Sequence, residues 1–306
     1  MSRNNNVTRL GTTDLLMLLT CFFWALNFTV VKIVIREISP HAFNATRLVA
    51  ASVLLLAYLK FTEGSVGAGR ADLLKLAALG LIGHTVYQFL FINGLRRTTA
   101  SSSSLIMSMS PITIALLGSL FGVEKIRWSG WAGILVAFSG LYLVVFGHPG
   151  SPAPGGEGLT GDLFILGANL CWSVYTVFSR PLLERRSPLK LTTITFALGT
   201  LFYLPFGAGE AAATRWASLS AGGWGALLYS SVFSFALGYV FWYSSVKRVG
   251  STKTGVFGYI TPVFAIIIAR LFLGEELHLS QAAGVVIIFL GFYLTRFVDK
   301  RINGNQ

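Results

Sequence analysis

The chain has 306 residues, of which 54% are apolar and 12% charged, with 24 Lys and Arg against 12 Asp and Glu. Soluble proteins have about a quarter of their residues charged, so this composition excludes an ordinary soluble enzyme, and the high hydrophobicity excludes a disordered chain. The net charge of +12 is spread over short loops between apolar runs. It therefore indicates a membrane protein with positive cytoplasmic loops and not a nucleic-acid-binding protein, whose basic residues would form one stripe.

Ten apolar stretches of about 20 residues, the length that crosses a bilayer, predict ten membrane-spanning helices. The first five predicted spans cover residues 14–34, 41–59, 73–95, 101–121 and 128–146. The second five cover residues 162–180, 189–206, 222–246, 252–273 and 279–298. The first stretch is too long for a signal peptide and is interpreted as a retained helix.

The first and sixth spans have aromatic and polar residues near their centres. Trp24 and Asn27 are three residues apart, as are Trp172 and Tyr175, so each pair lies on one face of its helix. At span ends such rings would be interfacial anchors, but these lie near the middle. They indicate either plain helix packing or a pocket for an amphipathic or aromatic solute.

The third and eighth spans have similar faces. In the third span His84, Tyr87 and Gln88 follow helical spacing, and the corresponding face of the eighth span has Tyr239 and Trp242. A face with an imidazole, a phenol and an amide should not contact lipid. His84 either bonds a neighbouring helix or lines a wet substrate cavity.

The fourth and ninth spans contain prolines at matched positions, Pro111 and Pro262. Each removes a backbone donor and frees the carbonyl four residues earlier, at Met107 and Gly258. Matched interruptions in two halves of a transporter point to hinges in its transport core. A static kink is the alternative.

The two halves of the chain resemble each other. Residues recur at an offset of 148, as Trp24 and Trp172 do, and residues 147–161, rich in Gly and Pro, are predicted to be a flexible linker. We predict two five-helix repeats, residues 1–150 and 151–306, that together form one transmembrane domain. The odd number of spans per repeat predicts that the second repeat is inverted in the membrane.

The distribution of charge predicts both orientation and substrate. With both termini inside, 17 Lys and Arg fall in cytoplasmic segments and six in outer ones, and Arg47 completes the total of 24. This bias predicts cytoplasmic termini.

All twelve acidic residues lie at span ends or in loops. Exchange of organic cations for protons commonly uses a buried carboxylate, and a phosphorylated substrate needs buried cations. A neutral or zwitterionic substrate is therefore predicted.

Catalytic constellations are missing from the sequence. It has no phosphate loop with lysine, no His, Cys and acid cluster at metal spacing, and no acid/base pair inside a span. We therefore expect no enzyme activity, no cofactor and no metal, with an intramembrane enzyme as the alternative of a different class. Nucleic acid is not an expected partner.

A set of Pro, Gly and Glu residues around the fourth and fifth spans of each half forms a motif. In the first half it comprises Ser110-Pro111, Gly122-Val123-Glu124, Gly133 and Gly140, and in the second Thr261-Pro262, Gly274-Glu275, Gly284 and Gly291. The chain thereby resembles the paired EamA units of the drug/metabolite transporter superfamily, and within it the YddG-type exporters of aromatic and other amino acids. The first copy departs from this motif because Val123 stands between Gly122 and Glu124. Glu124 and Glu275 are interpreted as helix-end groups that orient hairpins.

The resemblance implies a ten-helix carrier of a bacterial inner membrane whose central cavity opens alternately to each side. We expect a secondary transporter or facilitator that exports neutral or zwitterionic metabolites, amino acids including aromatic ones. An exporter of drugs or other small metabolites is the alternative. Expected partners are a small-molecule substrate and membrane lipid, and a monomer is the simplest state. Proton coupling stays open, although the lack of buried carboxylates favours facilitated diffusion. The expected substrate-binding residues are Trp24, Asn27, His84, Tyr87, Gln88, Trp172, Tyr175, Tyr239 and Trp242, with Pro111 and Pro262 as hinges.

Overall fold

The computed structural model of the chain describes residues 12–64, 67, 70–122, 128–146, 156–249, 254–276 and 278–303. Every regular element among these residues is a helix. The architecture therefore agrees with the all-helical membrane fold predicted from the sequence. Glu124 and residues 147–155 of the predicted linker lie outside the described residues.

Seven helices in the described part of the chain are long and apolar enough to cross a membrane. They are Thr12–Val34, Pro40–Glu63, Asp72–Arg97, Ala100–Leu120, Glu157–Leu183, Pro188–Ala213 and Ala221–Arg248. Three further helices contain shorter apolar stretches: Trp128–Phe146, Thr261–Leu273 and Leu279–Asn303. In chain order these ten helices are the first to tenth spans, so that the three additional ones are the fifth, ninth and tenth.

The boundaries follow the hydropathy pattern closely at most ends, and the sixth, seventh and tenth spans extend furthest beyond it, the tenth as far as Asn303. The sixth span begins at Glu157, so the end of the predicted linker is already helical. The seventh span continues to Ala213, beyond its predicted end at residue 206, and passes through Pro205. Hydropathy underestimates these helices because a polar turn at a helix end stays helical once it leaves the apolar part of the bilayer.

Small polar side chains cap several helices. The hydroxyl of Thr99 accepts a hydrogen bond from the amide of Ser102 at 3.0 Å, and Ser187 and Ser220 do the same for the residues three positions later. The second span ends at Gly64, whose φ of 69° is the left-handed conformation that glycine adopts without strain. These caps satisfy backbone groups that a helix leaves unpaired at its ends.

The contacts between spans are paired: a contact between one span of the first half and one of the second has a counterpart in which the two halves have changed places. The first span packs on the eighth and ninth, and the sixth packs on the third and fourth. The second packs on the seventh and the fifth on the tenth. Gly80 and Gly199 bring the third and seventh spans together, since a Cβ on either would lie 2.6 Å or less from a backbone oxygen of the other span. Small residues allow such close approach of membrane helices.

Four of the spans are interrupted near their middle. The third and eighth spans contain π-helical turns, Leu81–Val86 and Ser230–Leu237. The fourth breaks between Met107 and Ser110, and the ninth begins with a 3-10 turn, Val256–Tyr259, before Thr261. The proline breaks follow from the sequence, but the two π-helical turns were not predicted. Such turns redirect side chains and are frequent at functional sites.

Candidate functional site

A cavity of about 70 Å³ lies where six of the ten spans meet. The first, third and fourth spans line it from one half of the chain, and the sixth, eighth and ninth spans from the other. The lining residues are Trp24, Asn27, Phe28, Tyr87, Gln88, Phe91, Ser104, Met107, Ser108, Ser110, Trp172, Ser234, Phe235, Tyr239, Trp242, Gly255, Gly258 and Thr261. The volume suffices for a few water molecules. Because small-molecule pockets usually measure roughly 300–1,000 Å³, a solute would have to spread the helices to bind.

Four aromatic side chains form one wall, which we call the aromatic cage: Trp24, Trp172, Tyr239 and Trp242. The ring of Trp24 lies 5.3 Å from that of Trp172 and 5.1 Å from that of Trp242, and Trp172 lies 5.4 Å from Tyr239. These distances and the mostly edge-on orientations are those of favourable aromatic pairs. The cage joins the two halves, since Trp24 belongs to the first span and the others to the second half.

The indole N–H groups of Trp24 and Trp242, whose rings are neighbours in the cage, differ in their partners. Trp24 donates through Nε1 to the carbonyl oxygen of Ser234 at 3.0 Å. Ser234 lies in the π-helical turn of the eighth span. Nε1 of Trp242 is buried and has no hydrogen-bond partner among the described residues. A buried donor without a partner is costly.

The opposite wall has polar groups held by a buried arginine. Arg47 is fully buried, and it donates from Nη2 to Oε1 of Gln88 at 3.1 Å and from Nη1 to Oδ1 of Asn27 at 3.5 Å. Its Nε donates to Oδ1 of Asn44 at 2.8 Å. The guanidinium carbon also lies 4.5 Å from the ring centre of Phe235. Sequence analysis had noted Arg47 as a charge inside a span but had not placed it at the site.

Serine hydroxyls of the fourth span form a third part of the lining. Ser104 and Ser108 each donate to a carbonyl three residues earlier, at 2.7 and 2.6 Å, and Ser110 does so at 2.5 Å. A hydroxyl has a single hydrogen, so each of these oxygens offers only lone pairs to other groups. This part of the cavity therefore presents hydrogen-bond acceptors.

The proline break of the fourth span is bridged by Asn169 of the sixth span. Its amide nitrogen donates to the carbonyl oxygen of Met107 at 3.0 Å and to Oγ of Ser110 at 2.9 Å. The carbonyl that Pro111 frees is thus satisfied by the other half of the chain. At the break of the ninth span, Sγ of Cys21 in the first span donates to the carbonyl oxygen of Phe257 at 3.0 Å.

Two residues expected to contact substrate lie behind the cage. His84 is fully buried and contacts Oγ1 of Thr195 through Nε2 at 3.2 Å, and its ring packs 4.8 Å from that of Tyr175. The hydroxyl of Tyr175 also bonds Oγ1 of Thr195, at 2.7 Å. Neither side chain is part of the cavity lining, whereas the other seven expected contact residues are. Helical spacing places a residue on a face but does not tell which neighbour covers it.

At one end of the bundle, spans are joined by hydrogen bonds. The carboxylate of Glu275 accepts from the backbone amides of Ala100 and Ser101, both at 2.9 Å, and thereby caps the fourth span from the other half. The ammonium of Lys32 donates to the carbonyl oxygens of Leu95 and Thr98. Glu275 is thus a helix-end group, as interpreted from the sequence.

The fold and the site define a multi-pass membrane protein with a small cavity at its centre. The chain matches the EamA-like transporter family twice, over residues 11–146 and 159–297. It belongs to that family and is a membrane transporter. The resemblance to the drug/metabolite transporters that the sequence motifs suggested is thereby confirmed.

Relatives with curated descriptions agree on transport. An "uncharacterized transporter" of Archaeoglobus fulgidus is 32% identical over 92% of this chain and 96% of its own length. The Bacillus subtilis transporter YyaM, also uncharacterized, is 28% identical over 88% of both chains. A "probable terminal-alkyne amino-acid exporter" of Streptantibioticus cattleyicolor is 27% identical over 85% of this chain and 84% of its own. A solved crystal structure with 17% identity superposes with a TM-score of 0.68 over 95% of this chain and 98% of its own, which shows the fold alone.

Proposed function

We propose that this protein is a secondary carrier that exports neutral or zwitterionic metabolites, amino acids including aromatic ones, by alternating access. The observation that carries the proposal is the aromatic cage at the meeting point of both halves. Flat apolar walls with polar groups at opposite sides suit an amphipathic solute such as an aromatic amino acid. The similarity to an exporter named for an amino acid supports the same substrate class.

The interrupted spans support alternating access. Pro111 and Pro262 each stand at the start of a helical half, directly after a break beside the cavity. Both breaks are bonded across the halves, by Asn169 and by Cys21. In the proposed mechanism the two prolines are hinges, and the halves rock around the cavity as inverted repeats, residues 1–150 and 151–306.

The proposal includes a location and an orientation. The protein would lie in a bacterial inner membrane with both termini in the cytoplasm, as the excess of Lys and Arg in alternate loops predicts. One copy contains a complete ring of six spans around its cavity, so a monomer suffices for transport. Facilitated diffusion is the favoured coupling, since no acidic side chain is part of the cavity lining in the described residues.

Flux measurements on reconstituted vesicles test the proposed function. We expect purified protein to accelerate uptake of tryptophan or phenylalanine at least tenfold over protein-free vesicles. Trp172→Ala should remove most of this flux, because it opens one wall of the aromatic cage. Trp224→Ala is the matched control, since that ring is 48% exposed on the outside of the eighth span. Uptake no faster than in empty vesicles would contradict the proposal.

An exporter of drugs or other small metabolites is the second candidate. The aromatic cage is as compatible with a drug exporter as with an amino-acid exporter, because aromatic walls also accept apolar drugs. A competition panel separates the two: amino acids should suppress tryptophan flux, whereas cationic dyes and neutral drugs should not. Suppression by drugs alone would favour the second candidate.

A further inference from the structure

Arg47 is a buried cation without a counter-ion. Among the described residues no carboxylate lies within 4.0 Å of its guanidinium, and the side chain is fully buried in the second span. An arginine inside a membrane span is costly and is retained where a partner or a function compensates it. Three amide oxygens and the rings of Phe43 and Phe235 solvate the charge but do not neutralise it.

Arg47 also sets the orientation of the two amides that line the cavity. A guanidinium has donors and no acceptor, so the oxygens of Asn27 and Gln88 must face it. Oδ1 of Asn27 accepts a second hydrogen bond, from Oγ of Ser230 at 2.8 Å, which holds the same orientation. The nitrogens of both amides therefore stand on the side away from Arg47, where the Gln88 amide lies beside the phenol of Tyr239.

This wall of the cavity thus presents N–H donors backed by a positive charge. The serine wall formed by Ser104 and Ser108 presents acceptors, because their hydrogens are donated to the backbone. A zwitterion has the complementary pattern, an anionic carboxylate that accepts and an ammonium that donates. Charge-assisted hydrogen bonds of this kind are about twice as strong as neutral ones.

We propose that Asn27, Gln88 and Arg47 form a carboxylate site that selects solutes with one negative group. This inference rests on the proposed transport function and narrows its substrate class. The carboxylate binds the amide N–H groups and balances Arg47, while the aromatic body of the solute enters the aromatic cage. An aromatic amine without a carboxylate leaves Arg47 uncompensated and adds a second positive charge beside it.

Ligand-dependent melting of the purified protein in detergent tests the site. The probes share one indole ring: tryptophan, tryptophan amide, tryptamine, and indole-3-propionate, which keeps the carboxylate and lacks the amine. We expect tryptophan and indole-3-propionate to raise the melting temperature, because a solute that binds the folded state stabilises it. Tryptamine and tryptophan amide should bind at least tenfold more weakly.

Two variants assign the selectivity to Arg47. Arg47→Gln should lose the preference for the carboxylate, but it also takes a donor from the amide oxygens of Asn27, Asn44 and Gln88, so a second variant is needed. Gln88→Glu keeps the arginine and pairs it with an internal carboxylate, so we expect an unchanged or higher melting temperature without ligand and at least tenfold weaker binding of tryptophan. Arg97→Gln is the matched control, since Arg97 also donates to a side-chain amide oxygen, Oδ1 of Asn93 at 3.2 Å, and lies over a ring, that of Phe164, but is not part of the cavity lining. It should bind all four probes as the unmodified protein does.

The outcomes distinguish this inference from the proposed function. If tryptophan and tryptamine bind equally well, or if Gln88→Glu keeps the preference for the carboxylate, the carboxylate site is wrong and aromatic solute transport stands. If neither tryptophan nor indole-3-propionate binds, both the site and the proposed aromatic amino-acid function are wrong.

Discussion

At the scale of single residues, burial separates the candidate contacts into two groups. Trp24, Trp172, Tyr239 and Trp242 line the cavity, whereas His84 is enclosed by Thr195, Phe196 and other rings. The sequence left open whether His84 bonds a neighbouring helix or lines a wet cavity. Its side chain packs between helices and has no surface on the cavity.

This position predicts that His84 does not couple transport to protons. His84→Gln keeps a hydrogen-bonding group near Thr195 and removes the titratable ring. We expect the pH dependence of amino-acid flux to stay as in the unmodified protein, while the melting temperature falls because ring contacts with Tyr175 and Phe196 are lost. Flux is measured in vesicles with and without an imposed pH gradient. Loss of gradient-driven accumulation in the variant would restore His84 as a proton relay.

At the scale of helices, breaks in one half are satisfied by polar groups of the other. Asn169 bridges the break of the fourth span, and Cys21, which is 148 positions earlier, bridges the break of the ninth. The amide makes several hydrogen bonds, whereas a thiol is a weak donor. The two breaks are therefore held with different strength, a difference that the repeat pattern alone does not reveal.

This difference predicts unequal effects of substitution. Asn169→Cys gives the first break the same weak donor as the second and removes the hydrogen bonds of the amide to Met107 and Ser110, although Oγ of Ser110 still donates to the carbonyl oxygen of Met107. We expect a loss of about 1–3 kcal/mol in folding stability, because each lost hydrogen bond contributes about 0.5–1.5 kcal/mol. Cys21→Ser, which keeps a donor at the related position, should cost less. Thermal melting of both variants in one detergent is the measurement, and equal losses would contradict the argument.

At the scale of the whole molecule, the proposed orientation states which end of the bundle faces the periplasm. Each proposed hinge follows a residue that lines the cavity, Ser110 or Thr261, and Glu275 joins the fourth and ninth spans at one end of the bundle. The proposed orientation places Glu275 and Lys32 at the periplasmic side and Arg186 with Asp72, which form an ion pair of 2.8 Å, at the cytoplasmic side.

Labelling of introduced cysteines tests this orientation. Ser218, before the eighth span, and Glu184, after the sixth, are both exposed and stand at opposite ends of the bundle. In intact cells Ser218→Cys should react with a membrane-impermeant maleimide, whereas Glu184→Cys should react only after permeabilisation. The natural cysteines lie inside spans, so the unmodified protein is the background control. Reaction of Glu184→Cys alone in intact cells would reverse the proposed topology.

Much of the architecture could be predicted because the bilayer acts on the sequence directly. Each span must be apolar over about 20 residues, so hydropathy alone marks the ten segments to within a few residues at most ends. The prolines likewise predict the helix breaks, because proline lacks the backbone donor that a helix needs. The repeated Pro and Gly motif indicates the family. The lack of acidic residues at span centres limits the solute for the same reason.

What the sequence by itself determined about this protein is the number, the approximate extent and the type of its helices. Only the tertiary structure decided which faces meet: it enclosed His84 and Tyr175, introduced the π-helical turns, and placed Arg47 behind Asn27 and Gln88. The physical reason is that the bilayer selects for hydrophobicity along a helix, whereas the partner of a buried polar group is set by helices far away in the chain.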